Sequence, residues 1–267
     1  SDRRGKQLLV FNRNGKLENS IGKDGDGPGE FRHITDIDVN KQKEILLLDE
    51  RNRKVSKFKL SGKFISSVNV DWAEAIIADS ENGFYLYNAH CGIEPDSEEN
   101  LIKHYNVEGE IDISFCKPFF KFGIVPGDFV NDKDGNLYVT QFFHYGAEKY
   151  APLGKYLFRI GKKAKYYREI ELKDDNTLPS IEELNNATVL GGFGVNSKYF
   201  LAQFGNTKEP NRFSWIDLYD LKGNLLHSGI KVPDELLLSD VGDDDLFYFI
   251  YTPLDDSSSD VPNPKIV

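Results

Sequence analysis

The feature that most constrains this chain is self-similarity at an offset of 47 residues, which aligns Phe11 with Phe58, Gly15 with Gly62 and Lys16 with Lys63. Asp2 leads through a short polar stretch to LLVFNRNGKL, and Asp49 leads through another to VSKFKLSGKF. One further step reaches Gly109 in YNVEGEIDI, and looser copies stand at Leu157–Tyr167 and Asp217–Ile230. Each copy reads as strand, tight turn, strand, with glycine supplying the positive φ that such a hairpin requires. A fixed period of this length marks a repeat architecture rather than one irregular domain.

A second hairpin precedes each copy. It appears as DVNKQKEILLLD (38–49), ADSENGFYLYN (78–88), VNDKDGNLYVT (130–140), GVNSKYFLAQ (194–203) and VGDDDLFYFIY (241–251). In each, a short apolar strand meets a polar turn and then a stronger apolar strand. Two hairpins make a four-stranded blade, a to d, and the stretch from Gly22 to Val68 holds one complete copy behind a glycine-rich lead-in loop. The expected fold is all-β: one six-bladed β-propeller of four-stranded antiparallel blades over 1–267, with the first and last blades incomplete. The blades fall at about 1–21, 34–68, 75–115, 128–170, 190–230 and 237–267. Joining residues 1–21 to 237–267 in one shared blade would give five. Phe11 and Phe58 are expected at matching buried positions. The single helix expected, Pro179–Ala187, has Ser180 and Glu183 at capping-box spacing.

The lead-in GKDGDGPGEF, followed by an a-strand, ILLLDERNRKVSKF and SGKFI, resembles the NHL-type repeat. Repeats of this pattern also occur in six-bladed propellers exported by Gram-negative bacteria, often as lipoproteins. The resemblance implies an exported protein of the periplasm or cell surface. It specifies a blade and no chemistry. The chain contains no methionine, and a start at Ser1-Asp2 reads as processed or trimmed, with any export signal out of view.

A formal net charge of −10 argues against nucleic acid and anionic lipid as partners. No apolar run approaches the roughly 20 residues that span a membrane. The chain is read as a monomer. The two cysteines, Cys91 and Cys116, form no CxxC pair, and export would permit a bond between them.

Strand alternation puts the b–c and d–a connections on one face, where longer loops gather at Asn88–Asn100, Lys117–Gly127, Gln141–Lys155, Lys173–Thr188 and Thr252–Asn263. Long loops on a rigid scaffold carry function. Candidate ligand-binding residues there are His33, Asp49, Asn88, His90, Gln141, His144 and Asn206, with aromatics in KPFFKFG (117–123), FFHYG (142–146) and Trp72 close by. No catalytic residue is nominated, since GxSxG, Walker and GxGxxG patterns are absent. The DDD run at 243–245 lies in an a–b turn, on the other face.

The expected function is a non-enzymatic propeller that binds a peptide, glycan or partner protein on the long-loop face, without a cofactor. The alternative is a metal-assisted lyase or hydrolase at the central channel. Resemblance to NHL-type amidating lyases implies zinc held by His33, His90 and His144, although their spacing does not force them together. Calcium is the other metal weighed, through Asp24, Asp26 and Glu30 in GKDGDGPGE, a spacing that fails the EF-hand template.

Overall fold

The computed structural model describes residues 6–12, 14–91, 99–119, 124–161, 164–170, 179–205, 213–233, 236–242, 244–251 and 265–266. Two compact units divide the chain, Ser1–Phe129 and Val130–Val267.

In the first unit, β1 (Leu8–Phe11) and β2 (Leu17–Ile21) form a two-stranded sheet. The lead-in loop follows, its ends closed by the short parallel pair β3 (Lys23–Asp24) and β4 (Glu30–Phe31). A four-stranded antiparallel sheet comprises β5 (Ile34–Val39), β6 (Glu44–Asp49), β7 (Lys54–Lys59) and β8 (Phe64–Asn69), each strand paired with the next. A second comprises β9 (Ala75–Ala78), β10 (Phe84–Tyr87), β11 (Ile102–Tyr105) and β12 (Ile111–Phe115). The third begins with β13 (Gly127–Asn131), which straddles the division, and continues as β14 (Leu137–Gln141), β15 (His144–Tyr150) and β16 (Tyr156–Ile160).

In the second unit a short helix, α1 (Ile181–Asn186), precedes β17 (Val189–Val195), β18 (Tyr199–Gly205), β19 (Phe213–Asp220) and β20 (Leu225–Pro233), again one sheet in sequence order. The last sheet has β21 (Leu236–Val241), β22 (Phe247–Tyr251) and β23 (Lys265–Ile266). Ser180 and Glu183 make the expected capping box: Glu183 N–H donates to Ser180 Oγ at 3.2 Å, and Ser180 N–H donates to Glu183 Oε2 at 2.6 Å.

The second strand of each four-stranded sheet is buried on both faces, which is why it reads as a continuous apolar run rather than an alternating one. In β6 the faces separate cleanly. Ile45 and Leu47 pack with Leu8, Ile21, Phe31 and Phe58, whereas Leu46 and Leu48 pack with Ile76, Ala78, Phe84 and Leu86 of the next sheet. In the second unit Tyr138, Ala147 and Ile160 meet Phe200, Ala202 and Phe204 in the same way. Carboxylates strap neighbouring first strands: Asp36 and Asp38 of β5 accept from Ile76 and Ala78 N–H of β9 at 2.8 and 2.7 Å.

The turn glycines fall where the repeat places them. At Asn12–Lys16, Lys59–Lys63 and Asn106–Glu110 the first residue's N–H donates to the fifth carbonyl, and the glycine N–H donates to the first carbonyl. Gly15, Gly62 and Gly109 take φ values of 75°, 83° and 83°. Ala151–Lys155 and Asp220–Asn224 repeat the pattern with Gly154 and Gly223. Asn12, Asn106 and Asp220 also accept turn N–H groups through their side chains, so the polar first residue holds the turn closed.

Two expectations fail. Phe58 is 2% exposed but Phe11 is 54% exposed. Phe58 is covered by Phe31 from the lead-in loop and by Phe64, with ring centroids 5.7 and 5.5 Å away. The position that the repeat pairs with Phe64 holds Leu17, itself 50% exposed. The second failure lies at 141–161. The c–d turn is Ala151–Lys155 rather than Gly161, and β14 passes to β15 through Phe142 and Phe143 alone.

His104 on β11 is buried between two carboxylates, 2.6 Å from Asp112 and 2.8 Å from Asp79. Burial alone would lower its pKa, but the hydrogen bonds to Asp79 and Asp112 outweigh burial and raise it. The imidazolium therefore stabilises the fold below the ordinary histidine pKa, and that contribution is lost as pH rises through the raised value. Asp79, lowered by the His104 bond against its own burial, adds stability that is lost as pH falls through its depressed pKa. His104→Gln should remove the alkaline part of the stability loss, read as denaturant midpoint against pH from about 6 upward. An unchanged profile would contradict the charged pairing. Phe58→Ala should cost about 3–5 kcal/mol in denaturant melts and Phe11→Ala less than about 1 kcal/mol. Equal losses would contradict the difference in burial.

Candidate functional site

In the first unit two connections are stitched together by carboxylates. Asp49, the last residue of β6, is fully buried. Its Oδ1 accepts from His33 and Asn52 N–H, both at 3.1 Å, and its Oδ2 accepts from Arg32 N–H at 2.8 Å and Asn52 Nδ2 at 2.9 Å. This fixes the segment before β5 against the turn after β6. In the next sheet Glu74, the residue before β9, reaches in the other direction: its Oε2 accepts from Ala89 N–H at 2.7 Å. Asn88 accepts from His90 N–H at 3.0 Å and donates its own N–H to Leu101 O at 2.7 Å.

The stitching brings two imidazoles close to two carboxylates, with hydrogen-bond geometry for His33 and Glu50 but not for His90 and Glu74. His33 Nδ1 lies 3.3 Å from Glu50 Oε2, and His90 Nδ1 lies 2.7 Å from Glu74 Oε1. All four side chains are partly buried. Burial raises the Glu74 pKa, the Ala89 N–H and His90 oppose it, and the charge of Glu50 adds to it, so the two carboxylates sense each other. Trp72, 38% exposed, lies against the His90 ring with centroids 4.9 Å apart. Its loop is held by Asp71, whose N–H donates to Tyr105 OH at 3.0 Å and whose carboxylate binds Lys103 Nζ at 2.7 Å.

Of the expected residues, His33 thus meets Asp49, and Asn88 meets His90. Asp49 and Asn88 hold backbone through their side chains. Glu50 and Glu74 went unnominated, yet both sit at signalled positions: Glu50 directly follows a b strand, and His33 and Glu74 each directly precede an a strand. Gln141 and His144 face each other across the tight turn from β14 to β15 in the second unit. Asn206 lies outside the described residues, as do the Cys91 side chain and much of the KPFFKFG and 252–264 stretches.

His144 Nδ1 lies 3.5 Å from Glu169 Oε1. Burial, helped by the charge of Arg159, lowers the His144 pKa to about 4. Glu169 also borders an open cavity of about 280 Å³ lined by Arg168, Ile170, Glu183, Asn186 and Ala187.

The carboxylates considered for calcium are held by cations of the chain. Asp26 makes a two-pronged pair with Arg32 at 2.7 Å for each bond, Asp24 binds Lys6 at 2.7 Å, and Glu30 binds Lys23 at 2.9 Å. Buried Lys54 places its ammonium against the loop carbonyls of Asp26 and Gly27, each at 3.2 Å. Among the described residues no three His, Cys, Asp or Glu side chains group as metal ligands. No described helix is long and apolar enough to cross a membrane.

Successive antiparallel sheets, nearly free of helix, define a six-bladed β-propeller. The chain belongs to the DUF5128 family, described as a 6-bladed beta-propeller, whose model matches residues 1–143. No curated protein matches the sequence. A candidate exported protein of Bacteroides fragilis has a similar structure, with TM-score 0.72 and 14% identity over 94% of this chain and 75% of that one. A DUF4221 family member from Bacteroides vulgatus gives TM-score 0.71 and 12% identity over 98% and 86%. A gluconolactonase from Xanthomonas campestris gives TM-score 0.50 and 11% identity over 81% and 69%. At these identities the likeness concerns the fold.

If burial and Arg159 keep His144 neutral, its ring protons should show no titration between pH 5 and 8 by NMR. A midpoint near the ordinary histidine value of about 6.5 would contradict that environment.

Proposed function

We propose that this chain is a non-enzymatic binding propeller that recognises a peptide, glycan or partner protein through the connections before and after its strands. The observation that carries the reading is the His90–Glu74 pair, 2.7 Å apart, beside the partly exposed indole of Trp72. Polar groups converging beside an exposed aromatic surface suit recognition, because the ring supplies area and the polar groups fix orientation. The metal-assisted lyase or hydrolase reading has less support. His33 Nδ1 is hydrogen-bonded to Glu50, and among the described residues no three His, Cys, Asp or Glu side chains group around His33, His90 or His144.

Export to the periplasm or cell surface, as a lipoprotein and a monomer, belongs to the same proposal. Its support is the fold shared with the candidate exported protein of Bacteroides fragilis.

A glycan and peptide array probed with wild type and with Trp72→Ala/His90→Gln should show ligands captured by wild type and weakened at least tenfold in the variant. A His144→Gln control should match wild type. Identical capture by wild type and the double variant, or no capture by wild type, would overturn the reading.

A further inference from the structure

We propose that the hairpin turns of β1–β2 and β5–β8 dock on an anionic lipid surface, a contact separate from the Trp72 and His90 connections. Chain geometry gathers these turns. Glu44 lies opposite Lys59, so the β5–β6 and β7–β8 turns close the same end of their sheet. Asp49, at the other end of β6, faces the connections described above. The β1–β2 hairpin is joined to the β7–β8 turn: Asn19 Nδ2 donates to Ser61 O at 3.2 Å. The fit is close, since a Cβ on Gly62 would meet Asn19 Nδ2 at 2.9 Å and Ile21 at 3.2 Å.

The net charge of −10 counts against anionic lipid for the molecule at large, but the charge is unevenly placed. Lys16, Lys41, Lys43, Lys59 and Lys63 are all exposed at these turns. Among the described residues none of the five makes an ion pair. Glu44, the carboxylate of the β5–β6 turn, is taken by Asn40 Nδ2 at 3.0 Å and by Lys57 Nζ at 3.8 Å. Glu18 alternates to the other face of β2 from Leu17 and Asn19. The turns of the next sheet carry Glu81, Glu108 and Glu110, so the positive charge is confined to these two hairpin groups.

Apolar side chains stand among these lysines. Phe11 and Leu17 face each other where the β1–β2 turn begins, and Val39 and Leu60 border the turns of the neighbouring sheet. All four are about half exposed. A single exposed apolar residue is ordinary, but four of them interleaved with five unpaired ammonium groups make an amphipathic surface. That mixture chooses the partner. Phosphates of a lipid headgroup layer take the ammonium groups, while the apolar tips and lysine stems enter the layer beneath. A nucleic-acid backbone or an acidic peptide would take the charges and leave the apolar tips in water. Hairpin tips are also convex. A deformable lipid surface accepts them, whereas a rigid protein partner needs a hollow for each.

The test is co-sedimentation of the full chain with vesicles of phosphatidylcholine alone and of phosphatidylcholine with about 30% phosphatidylglycerol. The chain should partition onto the anionic vesicles, less so with added salt, and not onto the neutral ones. Lys59→Gln/Lys63→Gln should weaken partitioning at least tenfold, since each lysine near such a surface contributes roughly fivefold. Leu17→Ser/Leu60→Ser should weaken it at least threefold, which charge attraction alone would not produce. All four side chains are exposed, so both variants should melt with wild type. Wild-type partitioning by the lysine variant would overturn the proposal, and so would wild-type partitioning by the leucine variant, which would reduce the contact to diffuse attraction. Capture of a hexaglutamate peptide without binding to vesicles would assign the turns to an acidic protein segment and overturn the lipid reading. Binding to neither would overturn it as well.

Discussion

Everything else in this structure depends on the burial of one strand per sheet on both of its faces. β6 sends Ile45 and Leu47 to one neighbour and Leu46 and Leu48 to the other. A four-stranded sheet of this kind cannot satisfy its apolar surface alone. It needs a similar sheet on each side, so the sequence must repeat. Polar side chains then work at turns, where Asn106 and Asp220 close hairpins, and on the first strand β5, where Asp36 and Asp38 strap it to β9.

Those polar residues divide into two populations that look alike in sequence. Asp49 and Asn88 end or follow b strands as a ring of ligand-facing groups would, yet their side chains hold the backbone of neighbouring connections. Glu50 meets a histidine instead, and Glu74 does both, holding Ala89 N–H with one oxygen while the other lies beside His90. Lys54 makes the same point in reverse. In sequence it is one basic residue among several, whereas in the fold its ammonium holds the carbonyls of the glycine-rich loop.

This explains what could be read from the residues alone. Strand order, the blade count and the turn glycines were legible because each is set by a local pattern: apolar runs of fixed length and a positive φ at a fixed place. The difference between Phe11 and Phe58 was not legible because the cover of Phe58, by Phe31 and Phe64, is a tertiary contact that the turn repeat does not encode. The turn at Ala151–Lys155 was not legible because Gly154 and Gly161 both offer a turn glycine in the same stretch, and strand pairing decides between them. His33 and His90 were legible as candidates from their positions. Their pairing with Glu50 and Glu74 was not, since it depends on how two connections distant in sequence are pinned together.

The central claim, that two-sided burial of the second strand organises each sheet and leaves the connections available for function, is tested most directly by native-state hydrogen exchange resolved strand by strand. The account predicts the slowest exchange in β6, β10, β14 and β18. Exchange should be markedly faster in the exposed fourth strands β8, β12 and β20, and fastest in the connections that carry Trp72 and His90. Protection of the fourth strands equal to that of the second would contradict it.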